Sequence, residues 1–163
     1  MENTSIINEP LSRDLDADSR SNDDFTPLMT VAIGDKESAF EMMIQSGADP
    51  SLEDNKEFSG LHSAAEGGNT SIINKLLSLG LVVDSRDDIG VTSLMTVAIG
   101  ENESAFETLI QNGADPSLKD NKEFSVLHSA AEGGKASIIN ELFLPGLNVD
   151  SRDNDGVITD DCR

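Results

Sequence analysis

The sequence predicts an all-α solenoid, in which helix-turn-helix units stack side by side and are joined by short hairpins or turns. Three observations carry this prediction. Residues 22–87 align without a gap on residues 88–153 at an offset of 66, with about 47 of the 66 positions identical, and each block is two weaker copies of a 33-residue unit. Hydrophobic residues make up 37% of the chain but aromatics only 4%, with no Trp and no Tyr. A core drawn from Leu, Ile, Val, Ala and Met suits small, closely packed helices. Within each unit the apolar residues also recur at helical rather than strand spacing. A period of this length is the signature of stacked supersecondary units, each of which can cover its apolar face only against the next.

Taken along the chain, residues 1–21 read as a partial unit with a disordered start. Ser5-Ile-Ile-Asn8 matches Ser71-Ile-Ile-Asn74 and Ser137-Ile-Ile-Asn140, and Asp18-Ser-Arg20 matches Asp84-Ser-Arg86 and Asp150-Ser-Arg152. Four full units follow at 22–54, 55–87, 88–120 and 121–153. In the first of them Thr26 is placed to cap a helix whose first position is Pro27, where the missing N–H costs nothing. Ala32, Ala64, Ala65, Ala98, Ala130 and Ala131 are small enough for close approach of neighbouring helices. A second helix is expected over about 37–46, with Ala39, Phe40, Met43 and Ile44 on one stripe. Gly47, Gly80, Gly113 and Gly146 follow the second helices at the position where a positive φ is wanted. The polar stretches 49–58 and 115–124 make the turn or hairpin to the next unit. Met29, Met42, Met43 and Met95 fall at repeat core positions. After Asp153 a fifth unit opens with Asn154-Asp-Gly156 and then departs from the pattern, so 154–163 reads as a truncated repeat or disordered tail. Pro10 likewise stands where the matching helix has Leu76. The expectation is a fragment of a longer array.

The period and its residues resemble the ankyrin repeat. The matching stretches are Thr26-Pro-Leu-Met-Thr-Val-Ala32 with Gly47-Ala-Asp49, and Ser59-Gly-Leu-His-Ser-Ala-Ala65 with Ile72-Ile73 and Leu76-Leu77. The third unit contributes Gly90-Val-Thr-Ser-Leu-Met95 with Gly113-Ala-Asp115, and the fourth Ser125-Val-Leu-His-Ser-Ala-Ala131 with Ile138-Ile139. The resemblance implies a protein–protein interaction scaffold that binds a partner protein through hairpin tips and exposed first-helix positions lining a concave groove. It also implies that His62 and His128, the only histidines, bond between neighbouring turns. On this chain the tip positions include Phe25, Lys56, Phe58, Ile89, Lys122 and Phe124, and the helix positions are Ile33, Glu66, Ile99 and Glu132. Exposed Phe and Ile would anchor a partner, and the two glutamates would favour Lys or Arg on it. Phe58 and Phe124 admit a second reading, in which they pack between hairpins. A regulatory ankyrin segment of a larger enzyme or ion channel is the alternative at the level of function, and a recently duplicated locus without a selected partner is a third.

The remaining composition bounds the function classes. With 31 acidic and 11 basic residues the formal charge is −20, which repels nucleic acid and anionic lipid. The acidity reads either as solubility or as long-range attraction for a basic protein. One cysteine, Cys162, excludes an intramolecular disulfide and suits a reducing compartment. The N-terminus has neither a basic n-region nor an apolar h-region, and no apolar run approaches a membrane span. A cytoplasmic monomer is the expectation. Catalysis, cofactors and metals find no candidates. The histidines lack ligand or base partners in sequence. Counting Gly156 as the sixth position of a calcium loop puts Cys162 at the twelfth, where a Glu is needed. Gly133-Gly134-Lys135 lacks the preceding glycine and following hydroxyl of a phosphate loop.

Overall fold

The computed structural model describes residues 16–100 and 102–144. The expected partial unit before residue 16, the truncated repeat after Asp153, Gly146, Cys162 and the rejected calcium loop lie outside them. Eight helices form in order: α1 Pro27–Ile33, α2 Glu37–Gln45, α3 Gly60–Gly67, α4 Thr70–Ser78, α5 Ser93–Ile99, α6 Glu103–Gln111, α7 Val126–Glu132 and α8 Ala136–Leu142. First helices begin at residues 27, 60, 93 and 126, and second helices at 37, 70, 103 and 136. The 33-residue period of the sequence is therefore the spacing of the helix pairs. No strand forms among the described residues. Isolated antiparallel bridges, Glu53 with Ser59, Arg86 with Thr92 and Lys119 with Ser125, pin the base of three connections.

Local chemistry accounts for three first-helix starts and three second-helix ends. Thr26, Ser59 and Thr92 stand extended before α1, α3 and α5, and their hydroxyls accept from the N–H of Met29, His62 and Met95. These bonds satisfy donors that a helix N-terminus otherwise leaves unpaired. Ser46, Leu79 and Asn112 are the C-caps of α2, α4 and α6, and the glycines that follow have φ of 91°, 98° and 88°. That left-handed turn lets the amide of Gly47, Gly80 or Gly113 bond back to Ile44, Leu77 or Ile110.

The helices stack in two layers. One runs α1, α3, α5, α7 and the other α2, α4, α6, α8, with the partners of each pair also in contact. The first layer packs tightly because its contact positions are small. Ala32, Ala64, Ala65, Ala98 and Ala130 are fully buried. A Cβ on Gly67 would sit 2.2 Å from the Ile33 carbonyl oxygen, and one on Gly133 would sit 2.5 Å from that of Ile99. Glycine is required there by the approach of the preceding helix end. Phe40, Ile72, Ile73, Leu76, Phe106, Leu109, Ile138 and Leu142 fill the space between the layers. Two sequence expectations fail on exposure. Met42 is 68% exposed, because it lies off the Phe40–Met43 side of α2, whereas Met29 and Met95 are core. Ala131 is exposed in the last described unit, unlike its counterpart Ala65.

One set of inter-unit bonds recurs after 66 residues, first between the segment ahead of α1 and the turn after α2. Asp18 Oδ1 accepts from Asp49 N at 2.8 Å and Arg20 donates to the Glu53 carbonyl at 3.0 Å. The same clamp recurs 66 residues on, with Asp84 accepting from Asp115 N at 3.0 Å and Arg86 donating to the Lys119 carbonyl. The junction between α1–α2 and α3–α4 is held differently. Asn69 Nδ2 donates to the Ala32 carbonyl, Ser71 to Glu37, and Lys75 pairs with Glu41 at 2.8 Å.

Candidate functional site

The tips that precede α1, α3, α5 and α7 share one construction. In three of them an aspartate opens the turn and its Oδ1 accepts two backbone N–H groups. Asp54 accepts from Lys56 at 2.8 Å and Phe58 at 2.9 Å, Asp87 from Ile89 at 3.1 Å and Val91 at 2.7 Å, and Asp120 from Lys122 at 2.8 Å and Phe124 at 2.9 Å. In the first tip the Ser21 hydroxyl does this work, accepting from Asp23 at 3.3 Å and Phe25 at 3.1 Å. Each tip then needs one left-handed residue, supplied by Asp24, Glu57, Gly90 and Glu123 at φ of 62°, 59°, 84° and 67°. Side-chain-to-backbone bonds of this kind hold a turn without a strand ladder.

Neighbouring tips are also tied to each other. Asn55 N donates to the Asp23 carbonyl at 3.2 Å, Asp88 N to that of Lys56 at 2.8 Å, and Asn121 N to that of Ile89 at 2.9 Å. Successive tips thus present their side chains in fixed register. Asp54, Asp87 and Asp120 recur every 33 residues, and that recurrence is the sequence signal that marks them.

Behind the tips, Ile33, Glu66, Ile99 and Glu132 lie at the C-terminal ends of α1, α3, α5 and α7, so the row runs along the first layer as apolar, acidic, apolar, acidic. Ile99 is 47% exposed, and Glu66 and Glu132 are exposed, while Ile33 is half-buried. The structure brings three sequence-predicted residues together. Phe58, Glu66 and Ile99, with Thr96 and Gly100, line a hollow of about 330 Å³ between the second and third helix pairs. Thr96 on α5 and Gly100, which follows its last residue, complete the lining without a distinguishing signal in the sequence. Phe25 is half-buried and lines a separate hollow with Arg20 and Thr30 on the other side of the first pair. Lys56 and Lys122 are exposed at their tips, as are Ile89 at 51% and Phe124 at 48%.

The two histidines explain how the Phe side chains are seated. His62 is fully buried. Its Nδ1 lies 2.9 Å from the Ser59 hydroxyl and 3.2 Å from Ser59 N, which donates to it. With Nδ1 accepting, Nε2 carries the proton and donates to the Val91 carbonyl of the next pair at 3.1 Å. Burial pushes the His62 pKa down, and the Val91 bond, Asp87 and Asp54 oppose that shift without reversing it. The Phe58 ring packs on His62 with centroids 4.9 Å apart, and Phe124 packs on His128 at 4.8 Å. Each Phe therefore rests on the histidine of its own unit, with Phe58 half-buried and Phe124 about half exposed. His128 keeps the local cap, its Nδ1 3.0 Å from the Ser125 hydroxyl, but its ring is exposed.

Among the described residues no cluster of three or more His, Cys, Asp or Glu is arranged to hold a metal ion, and no helix is long and apolar enough to cross a membrane. Compared with known proteins, residues 61–153 match the family model described as ankyrin repeats (3 copies). A search of curated proteins returned no match.

Proposed function

The chain belongs to the ankyrin-repeat family, whose repeats are generally protein–protein interaction modules, and from that premise we propose that it is a non-enzymatic scaffold binding a partner protein through the groove formed by its tips and first-helix ends. The observation that carries this reading is the hollow shared by Phe58, Glu66 and Ile99. It joins apolar surface to a carboxylate beside a tip whose backbone is bonded into register, and rigid anchors lose little entropy on binding. Ile89, Ile99 and Phe124 are large apolar side chains that remain about half exposed on this face, as contact anchors must. The charge of −20 favours a basic partner through long-range attraction.

The test compares two exposed apolar positions on different faces of the full chain. Ile99→Asp puts a charge into the hollow, and Met42→Asp puts one on the second layer. The proteins retained by the unaltered chain in affinity capture should be lost from the Ile99 variant and kept by the Met42 variant. Identical retention by all three would remove the groove from the proposal.

A further inference from the structure

Resting on that groove reading, we propose that the occupant is an extended peptide segment in which two Lys or Arg side chains six residues apart flank apolar residues on the same face. The cations would meet Glu66 and Glu132, and an apolar side chain would enter the hollow bounded by Phe58, Thr96 and Ile99.

The argument is one of spacing and alternation. Glu66 lies in the last turn of α3 and Glu132 ends α7, with α5 packed between them. Packed helix axes lie about 8–10 Å apart, so the two carboxylates stand about two such steps, roughly 16–20 Å, from each other. An extended chain advances about 3.3 Å per residue and returns a side chain to the same face every second residue. Six residues, about 20 Å, is the even separation that places both cations towards the protein. The second residue from either cation then comes over the Ile99 region, where the hollow opens. A helical occupant fits less well. Its anchors form a continuous apolar stripe, whereas this row switches between apolar and acidic at every unit. A strand meets that alternation, because each of its facing side chains is chosen independently.

The apolar and acidic features reinforce each other at one place. Glu66 lines the same hollow as Phe58 and Ile99, so a cation there borders an apolar contact, where partial exclusion of water strengthens the pair. Glu132 lies on the solvent side of an exposed helix end and contributes mainly through charge and register.

The probe is a fluorescein-labelled synthetic peptide, Gly-Arg-Ser-Leu-Ser-Leu-Ser-Arg-Gly, titrated with the full chain by anisotropy. Its control has the same composition in the order Gly-Arg-Arg-Ser-Ser-Leu-Leu-Ser-Gly. The spaced peptide should bind about tenfold more tightly, a difference of roughly 1.4 kcal/mol, and Glu66→Gln and Glu132→Gln should each reduce that preference. Equal affinity for the two peptides, or no binding of either, overturns the register. Ile99→Asp separates this failure from that of the groove itself. If both peptides bind equally and both are lost in the Ile99 variant, the groove stands and the register falls. If the variant binds them as the unaltered chain does, the groove reading fails with it.

Discussion

Removing the imidazole of His62 and that of His128 measures what one inter-unit contact is worth, because the two sit in the same local sequence. Residues 61–68 and 127–134 are both Leu-His-Ser-Ala-Ala-Glu-Gly-Gly. Each histidine caps its own helix through a serine hydroxyl, at 2.9 Å for His62 and 3.0 Å for His128, and each carries a phenylalanine ring. They differ in that His62 has 0% exposure and donates to the Val91 carbonyl of the next pair, while His128 is exposed. Loss of the ring's bonds to the serine costs about 1 kcal/mol in either case. At His62 the deletion also leaves a cavity and an unpaired carbonyl, and truncating a fully buried side chain of this size costs about 2–4 kcal/mol. His62→Ala should therefore destabilise the protein by about 3–5 kcal/mol and His128→Ala by about 1 kcal/mol. Because the chain has no Trp and no Tyr, far-UV circular dichroism in a urea titration is the suitable measurement. Equal losses in the two variants would refute the reasoning, since the local cap would then account for the whole effect.

Three further outcomes follow from the same geometry. His62 has a folded-state pKa below its unfolded 6.5, so the unfolded chain takes up more protons as the medium acidifies; the neutral ring's contribution is present above pH 6.5 and is lost as pH falls from there towards the folded value. Urea midpoints measured from pH 7.5 to 5 should show this loss, and His62→Ala should lack that component. Glu141 occupies the position of Lys75, and its carboxyl is raised above the ordinary range by partial burial and then by Glu107 and Glu103. Glu141→Lys should thus gain about 0.3–1 kcal/mol through an ion pair with Glu107 like that of Lys75 with Glu41, detectable as a raised thermal midpoint at low salt. Gly67→Ala should cost about 1–3 kcal/mol, since its methyl would meet the Ile33 carbonyl; an unchanged urea midpoint would show that α1 and α3 separate freely.

Much of the architecture is carried by residues that act within their own unit. The Thr or Ser cap and the glycine after α2, α4 and α6 work through bonds spanning a few residues, so they appear in the sequence at their 33-residue interval. The helix starts follow them. The tip aspartates are equally local, and their period was available as a signal. The site was legible as a set of positions but not as a grouping. Phe58, Glu66 and Ile99 meet in one hollow because α3 packs beside α5, whereas Phe25 lines another hollow beside α1. Met42 and Met43 are adjacent and chemically identical, yet Met42 is exposed, because helix rotation against α4 chooses the buried stripe.

His62 and His128 mark the boundary most sharply. Their shared octapeptide determines the cap, the ring's tautomer preference and the aromatic contact, all within one unit. Burial and the bond to a following unit are decided by Val91 and the pair that carries it, 29 residues downstream. The corresponding residue for His128 is Val157, which lies outside the described residues. In a solenoid each unit covers the face of its neighbour, so identical sequence takes on different exposure according to what is stacked on it.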